Sequence, residues 1–491
     1  MRAVLNRLGK LSQVNYSSIR TRTKDLFQPN QPDFIVPRIY PSGDLKDRSD
    51  SISIVGMGYV GLCTAATFAS RGIRTIGIDI DEKRVEQIRK GKAPLHEPQL
   101  GPMLKKAVDK KLLDATTYIS GATGTNTTFL TVGTPSQPDG SIDLSYVKNA
   151  TEDLGNVLGE KRSYHLVVVK STVVPGTTNG TVKRFLEQSS GKNVGSALGL
   201  CANPEFLKEG TAINDALHPD KIVIGSNDKK SANQLTRLYR KFYGSKLPPV
   251  ILTSPEAAEL IKYASNAFLA TKVSFINTVA NIAQQIPGVD VRTIAEAIGL
   301  DPRIGGLFLK AGPGYGGSCF HKDLQALTNY SQNNGYDPIL FRATEETNEQ
   351  QANKVVDMAE TLLGSLSNKK VVVLGLAFKK DTDDIREASS LRVINQLKTK
   401  GAHVIAYDPM AIPNAQKQLA DQISYADNSH SALKGAACAI IMTEWDEFRK
   451  LKPKDFQAYM KTPNIVDARR IYDPREFSRL NYVAIGLGAS R

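Results

Sequence analysis

Cysteine is scarce in this sequence: Cys63, Cys201, Cys319 and Cys438 are spread over 491 residues, and no two form a CxxC pair. That number and spacing exclude a disulfide scaffold and a structural zinc site; a reducing, cytoplasmic setting and no bound metal are expected. No run of 18 apolar residues occurs, which excludes a membrane-spanning helix. Also missing are a long Lys/Arg block, an RNP-type aromatic motif and zinc-finger spacing. The surplus of 63 Lys and Arg over 49 Asp and Glu, a net +14, is therefore not expected to serve nucleic acid, and a small anionic ligand is the better use for it. Acidic residues are absent from the first 24 positions, which hold Arg2, Arg7, Lys10, Arg20, Arg22 and Lys24. An organellar transit peptide has this composition, and so does a basic, flexible extension. Residues 1–50 carry nine basic and five acidic side chains, so 54 basic against 44 acidic remain beyond them.

What is present is ordinary globular material, 41% hydrophobic and 23% charged, in a length that suits about three domains of roughly 150 residues. Ser51–Val55 reads as a strand, GMGYVG as a turn, LCTAATFASRG as a helix ending at Gly72, and TIGIDID as a second strand. That is a parallel βαβ unit. The apolar runs TTFLTVGTP, YHLVVVKSTVVPGT, ALGLCANPEF and KIVIG continue it as buried parallel strands with polar groups at their carboxyl ends. From about Ser254 the residues PEAAELIKYASNAFLATKVSFINTVANIAQQI have helical periodicity and no breaker, which predicts a long connecting helix. Further helix runs to about Leu363; then KKVVVLGLAF, SLRVINQLKTKG and HVIAYDP repeat the strand, helix, strand, Asp order of the first unit. The expected fold is α/β: two Rossmann-like parallel-sheet domains joined by a long central helix and helical domain. The divisions are an extension over 1–50, a first Rossmann-like domain over 51–253, a helical domain over 254–363 and a second Rossmann-like domain over 364–491.

In Gly56-Met57-Gly58-Tyr59-Val60-Gly61, Gly56 permits the tight turn, Gly58 lets a pyrophosphate approach the backbone, and Gly61 lets the helix pack on the strand. The helix amino terminus then offers free N–H groups to the anion. Asp79 follows 18 residues after Gly61, where it can accept a ribose 2′-hydroxyl and repel a 2′-phosphate, so NAD is expected over NADP. A second loop, GPGYGGSCFHKD over 312–323, is too glycine-rich for a core element and suits backbone contact with a ligand. Cys319 follows Ser318, a candidate N-cap, at the start of a helix whose amino terminus can lower a thiol pKa; an unperturbed thiol is only about 3% ionised at neutral pH. Cys319 is the candidate nucleophile, while Cys63, Cys201 and Cys438 sit in apolar runs as small hydrophobes. Lys262 and Asn266 share a helical face, although spacing alone fits an ordinary solvated pair. Glu205 and Glu209 follow a buried strand, where Glu209 by itself could be a surface charge; Lys379 and Arg386 lie in FKKDTDDIREASS, suited to an anion or simply solvated.

Together these residues resemble the UDP-glucose/GDP-mannose dehydrogenase family over about residues 51–475. GMGYVG, TPxxxDGSID, KSTVVPGT, NPEFLKEG, EAAELIKYASNAFLATKVSFIN, GPGYGGSCFHKD and FKKDTDDIRE occur in family order. The resemblance implies a four-electron oxidation of a sugar C6 alcohol to a carboxylate by two NAD in succession, through a Cys319 thiohemiacetal and thioester. GGSC followed by KD, with NAFLATKVSFIN, favours UDP-glucose as substrate, with GDP-mannose or another nucleotide sugar as the alternative. By the same resemblance Lys262 and Asn266 stabilise an oxyanion, Asp323 helps with the hydrolytic water, Glu205 is acid/base through a water, and Thr172 and Glu209 line both ligands. Tyr59, Val60, Lys83, Thr134 and Arg386 are expected near the cofactor. Phe206, Leu207, Phe308, Lys310, Gly316, Phe378 and Lys379 are expected around the substrate. Arg303 matches an arginine that reaches a neighbouring subunit's substrate, so a homodimer or larger homo-oligomer is expected. His321 departs from the proline of many relatives and leaves the local backbone less predictable.

Overall fold

The computed structural model describes residues 50–489; the basic extension lies outside the described residues. Valine- and isoleucine-rich runs buried on both faces form the strands of two sheets, as expected where helices cover a parallel sheet on each side. The first sheet contains β1 (Ser51–Val55), β2 (Arg74–Ile78), β3 (Leu113–Thr116), β4 (Thr127–Leu130), β5 (His165–Val169), β6 (Leu198–Ala202), β7 (Ile222–Gly225) and β8 (Val250–Thr253). Their spatial order is β3-β2-β1-β4-β5-β6-β7-β8. The second contains β9 (Lys370–Leu374), β10 (His403–Tyr407), β11 (Ser424–Tyr425), β12 (Cys438–Ile441), β13 (Asn464–Asp467) and β14 (Asn481–Ala484), ordered β11-β10-β9-β12-β13-β14. The second sheet and the first six strands of the first follow one doubly wound order, 3-2-1-4-5-6, in which the crevice for a ligand opens where the winding reverses.

One expectation needs correction: KIVIG does not continue the parallel run. Strand β7 meets β6 antiparallel through Ala202 and Gly225, and β8 pairs parallel to β7. A parallel return needs a crossover spanning the sheet face. Between β6 and β7 the chain instead builds the NPEFLKEG loop and only a six-residue helix, Ala212–Leu217, so it re-enters from the carboxyl end.

The predicted connecting helix is Pro255–Ala283, with Ser254 accepting from the Ala257 N–H at 3.2 Å and Pro255 in the first turn. It stops about one turn short of the full apolar run, ahead of Pro287 and Gly288. Ala258, Glu259, Lys262, Tyr263, Asn266, Ala267 and Ala270 form its buried face. Small side chains there let helices Phe320–Asn333 and Ile339–Leu363 pack closely against it. Leu260, Phe268, Phe275 and Ile282 stand exposed on the opposite side.

The two sheets share one backbone device. The Gly56 N–H donates to the Ile78 carbonyl at 2.8 Å, and Met57 N–H donates to Asp79 Oδ2 at 2.6 Å. In the second sheet Gly375 N–H donates to the Tyr407 carbonyl at 2.8 Å, and Leu376 N–H donates to Asp408 Oδ2 at 2.8 Å. The sequence echo is therefore a structural one.

Candidate active site

The glycine turn after β1 fits a dinucleotide. Gly56 has φ +93°, and a Cβ on Gly61 would lie 1.9 Å from the Gly56 carbonyl oxygen, so a side chain at Gly61 is sterically barred. A Cβ on Gly58 would meet nothing within 4 Å, which leaves that face open for a ligand. Gly58 caps helix Tyr59–Ser70 without any side-chain hydrogen bond, so its first N–H groups are free to receive an anion. Asp79 is buried; besides Met57 it takes Asp81 N–H and Arg84 Nη1, both at 3.0 Å. Lys83, expected near the cofactor, is exposed on the following helix, and Arg84 beside it is the residue that reaches Asp79. Thr134 Oγ1 donates to the Thr172 carbonyl at 2.9 Å, joining two predicted positions.

At the same carboxyl edge of the sheet, beyond β6, three segments far apart in sequence converge on Cys319. The spine helix supplies Lys262, whose Nζ lies 3.0 Å from Glu205 Oε1, and Asn266, whose Nδ2 donates to Asp323 Oδ2 at 2.6 Å. The loop after β6 supplies Glu205, whose other oxygen accepts from Leu207 N–H. The third segment is the helix Phe320–Asn333. Its N-cap is Cys319, not Ser318, and Asp323 N–H donates to the Cys319 carbonyl at 2.9 Å. Ser318 instead places its hydroxyl 3.6 Å from the thiol sulfur. Lys262, Asn266, Glu205 and Asp323 are all buried, whereas Cys319 faces the open cleft. The ring of Phe206 lies 5.6 Å from Lys262 Nζ and 4.4 Å from Lys221 Nζ.

The electrostatics assign protonation states. Burial works against the Lys262 ammonium, but Glu205, Asp323 and Cys319 outweigh it and hold its pKa above the ordinary lysine value. Burial pushes Glu205 up, yet Lys262, the Leu207 N–H and Lys170 hold it below the usual carboxylate range. The thiol departs from expectation. Although the Cys319 side chain is open to the cleft, the protein packed around its sulfur, then Glu205 and Asp323, push it up more strongly than Lys262 and Ser318 pull it down. A helix amino terminus alone does not offset two buried carboxylates nearby. Cys201 and Cys438 are pushed by burial to about 12 and Cys63 likewise upward, as buried thiols should be.

The second sheet closes over the glycine loop. Gly317 N–H donates to the Arg386 carbonyl at 2.9 Å, and a Cβ on Gly317, which has φ +82°, would lie 2.8 Å from the Phe378 ring. A Cβ on Gly316 would meet the Glu387 carbonyl oxygen at 2.4 Å. Lys379 Nζ donates to the Glu209 carbonyl, and Arg386 Nη2 bonds Glu209 Oε1 at 3.2 Å and Asp384 Oδ2 at 2.7 Å. Burial and then Asp384 push the Glu209 carboxyl up to about 7. Phe308 adopts φ +65° and its ring lies 6.2 Å from that of Phe320, while Lys310 is exposed nearby. Arg303 does not join the site: it is exposed and paired to Asp301 at 2.6 Å.

Three family models match, described as the NAD binding domain over residues 50–243, the central domain over 256–350 and the UDP binding domain over 372–474. The chain belongs to the UDP-glucose/GDP-mannose dehydrogenase family. Among its relatives, the UDP-glucose 6-dehydrogenase AglM of Haloferax volcanii is 44% identical over 426 residues, 87% of this chain and 98% of that protein. The UDP-glucose 6-dehydrogenase TuaD of Bacillus subtilis is 40% identical over 438 residues, covering 89% and 93%. A UDP-glucose dehydrogenase structure from the archaeon Pyrobaculum islandicum superposes with a TM-score of 0.83 at 37% identity, covering 91% of this chain and 99% of that one. The family assignment makes the first sheet an NAD-binding domain, in agreement with its glycine turn and Asp79.

Sequence reasoning missed several residues of this dehydrogenase site. Glu259, one turn before Lys262, accepts from Gly176 N–H at 2.6 Å and Thr178 N–H at 2.7 Å and so ties the KSTVVPGT turn to the spine. Its place on the Lys262 face was a readable signal. Lys170 is buried, donates to Asn203 Oδ1 at 3.2 Å, and is lowered by burial to about 8. Arg469, after β13, donates to the Met442 carbonyl at 2.7 Å and the Phe378 carbonyl at 2.8 Å beside the glycine loop. Among the described residues no group of His, Cys, Asp and Glu could hold a metal ion, and no helix is long and apolar enough to cross a membrane.

Proposed function

We propose that this protein is a UDP-glucose 6-dehydrogenase, converting UDP-glucose to UDP-glucuronate with two NAD in succession. The observation that carries the reading is the convergence of Cys319, Lys262, Asn266, Asp323 and Glu205 from three sequence-distant segments onto one point facing the NAD-binding domain. The choice of glucose rests on the relatives named above. When bound, NAD accepts the hydride leaving C6 in each oxidation. Lys262, kept protonated, donates to the C6 oxygen as negative charge develops, and Asn266 adds a second donor. Such a donor is worth about 3 kcal/mol. Glu205, kept ionised, takes the hydroxyl proton through a water, since both its oxygens already have partners.

Cys319 then adds through sulfur to the aldehyde carbon, its proton passing to the carbonyl oxygen, and so retains the intermediate. Loss of the second hydride from C6, together with the hydroxyl proton, which leaves by way of the water beside Glu205, turns the thiohemiacetal into a thioester on Cys319. Asp323, anchored by Asn266 and Lys322, orients the water that cleaves it to carboxylate and free thiol. Glu209, Thr172, Thr134 and Arg386 border the nicotinamide side. Lys310, Phe308, Phe378, Lys379 and Arg469 enclose the nucleotide diphosphate. A free catalytic thiol suits a reducing, cytoplasmic compartment. The exposed spine residues Leu260, Phe268, Phe275 and Ile282, seven or eight positions apart, form an apolar seam suited to a second copy, with Arg303 exposed and able to reach the partner once it leaves Asp301. The test is NADH stoichiometry: two per UDP-glucose with GDP-mannose inert is expected, and one per sugar or a preference for GDP-mannose refutes it.

A further inference from the structure

The segment bearing the thiol has little inherent rigidity. Between Tyr315 and His321 lie Gly316, Gly317, Ser318, Cys319 and Phe320, and Gly314 and Gly317 both adopt positive φ. Glycine-rich backbone loses much entropy when it is fixed, so something must hold the sulfur in place. The two residues flanking this segment converge on one carboxylate. Tyr315 donates its hydroxyl to Glu345 Oε1, and His321 Nδ1 bonds Glu345 Oε2. Asn348, one turn further along the same helix, accepts from Tyr315 N–H at 2.7 Å and donates to its carbonyl at 3.1 Å. The Tyr315 and Phe320 rings meet edge to face at 5.6 Å.

We propose that His321, Glu345 and Tyr315 form a charge-assisted clamp that positions the Cys319 loop, with His321 acting as a positioning residue whose protonation tightens it. This rests on the reading of Cys319 as the nucleophile. The groups around the imidazole come from two packed elements besides its own helix: Glu345 from the helix Ile339–Leu363, and Glu387 and Arg392 from the second Rossmann-like domain. Arg392 pairs with Glu387 at 3.3 Å, which leaves Glu345 as the dominant charge facing His321. Burial and Arg392 work against the imidazolium, but Glu345 and Glu387 outweigh them and raise the pKa above the ordinary histidine value. Since the folded value is raised, the clamp is fully charged below the ordinary histidine range and loosens as pH rises through the raised value. A neutral imidazole still donates one hydrogen bond from Nδ1, but without charge assistance.

His321→Gln retains a neutral donor and cannot be protonated. Amide hydrogen exchange of ligand-free enzyme over residues 315–322, corrected for intrinsic rate, should show protection about tenfold lower in the variant than in the wild type at pH 6, with the gap closing by pH 9. The ratio of wild-type to variant kcat should converge over the same range, with the KM for NAD unchanged. Glu345→Gln should match His321→Gln in pH dependence, and the double variant should add little. A pH-independent deficit would reduce His321 to packing and overturn the proposal, as would equal protection at pH 6. The exchange readout needs no substrate, so it remains decisive if the proposed activity fails.

Discussion

Replacing Lys262 with Met tests the site most directly, because the ammonium serves catalysis and fold through separable contacts. Its Nζ lies 3.0 Å from Glu205 Oε1, with side-chain exposures of 5% and 7%. Methionine keeps most of the stem volume and removes the charge. Losing one oxyanion donor should lower kcat by about 10²–10³-fold, or roughly 3–4 kcal/mol of transition-state stabilisation. Breaking a buried pair by removing one partner costs about 3–5 kcal/mol of stability, because the other charge stays buried. Glu205 retains the Leu207 N–H and the nearby Lys170 charge, so the lower end, about 3 kcal/mol, is expected. The two effects part in the Glu205→Gln/Lys262→Met double variant. With the Glu205 charge removed as well, and Lys170 relieved of Lys262 as it loses Glu205, much of the lost stability should return while activity stays absent. Initial-rate NADH formation and denaturant unfolding of the same preparations measure both. A kcat within tenfold of wild type, or a double variant no more stable than Lys262→Met, would refute the argument.

Cys319→Ser should bind UDP-glucose and NAD yet release no carboxylate, stopping at the aldehyde or a slow covalent stage; product analysis by mass spectrometry showing unaltered glucuronate would remove the nucleophile. Gly61→Ala places a Cβ 1.9 Å from the Gly56 carbonyl oxygen and should abolish NAD binding by calorimetry, or prevent soluble expression. Glu209 has a folded pKa near 7, raised above that of an unfolded glutamate, so its stabilising contribution is present at low pH and is lost as pH rises from about 4.5 to 7. Glu209→Gln should flatten that part of the stability profile in denaturant titrations, and an unchanged slope would contradict the assignment. Phe268→Glu with Phe275→Glu should turn any homodimer into monomer in sedimentation velocity, with the NAD-binding domain still folded.

Much of this molecule was legible in the sequence because its information is local. Gly56, Gly58, Gly61 and Asp79 encode a turn and a ribose partner within one βαβ unit, and HVIAYDP repeats the grammar closely enough to predict Asp408's position. Lys262 and Asn266 were visible as a helical face, but only folding reveals that Glu205 and Asp323 complete them, since those contacts cross 57 residues each. The reversal of β7 was hidden because an apolar run reads the same in either direction. The Cys319 pKa was misjudged for a related reason: the helix terminus is a local signal, whereas the packing around the sulfur and the Glu205 carboxylate arrive only with the fold and add to Asp323 one turn away. Arg84, Glu345 and Arg469 carried no motif of their own; each acquires meaning through a tertiary partner.

The pairing of Arg386 with Glu209 and Asp384, of Lys262 with Glu205 and of Arg84 with Asp79 means that this cleft, in a chain of net +14, is an ion exchanger already loaded with its own counter-ions. A phosphate that engages Arg386 must displace a carboxylate, so affinity is a difference between two ionic contacts and should vary with ionic strength less steeply than the net charge suggests. Once Arg386 is drawn away, Glu209 loses its nearest cation while Asp384 remains beside it, and its affinity for a proton increases. A ligand that took Arg386 in this way near neutral pH would therefore bring a proton in with it, before the chemistry releases any proton of its own.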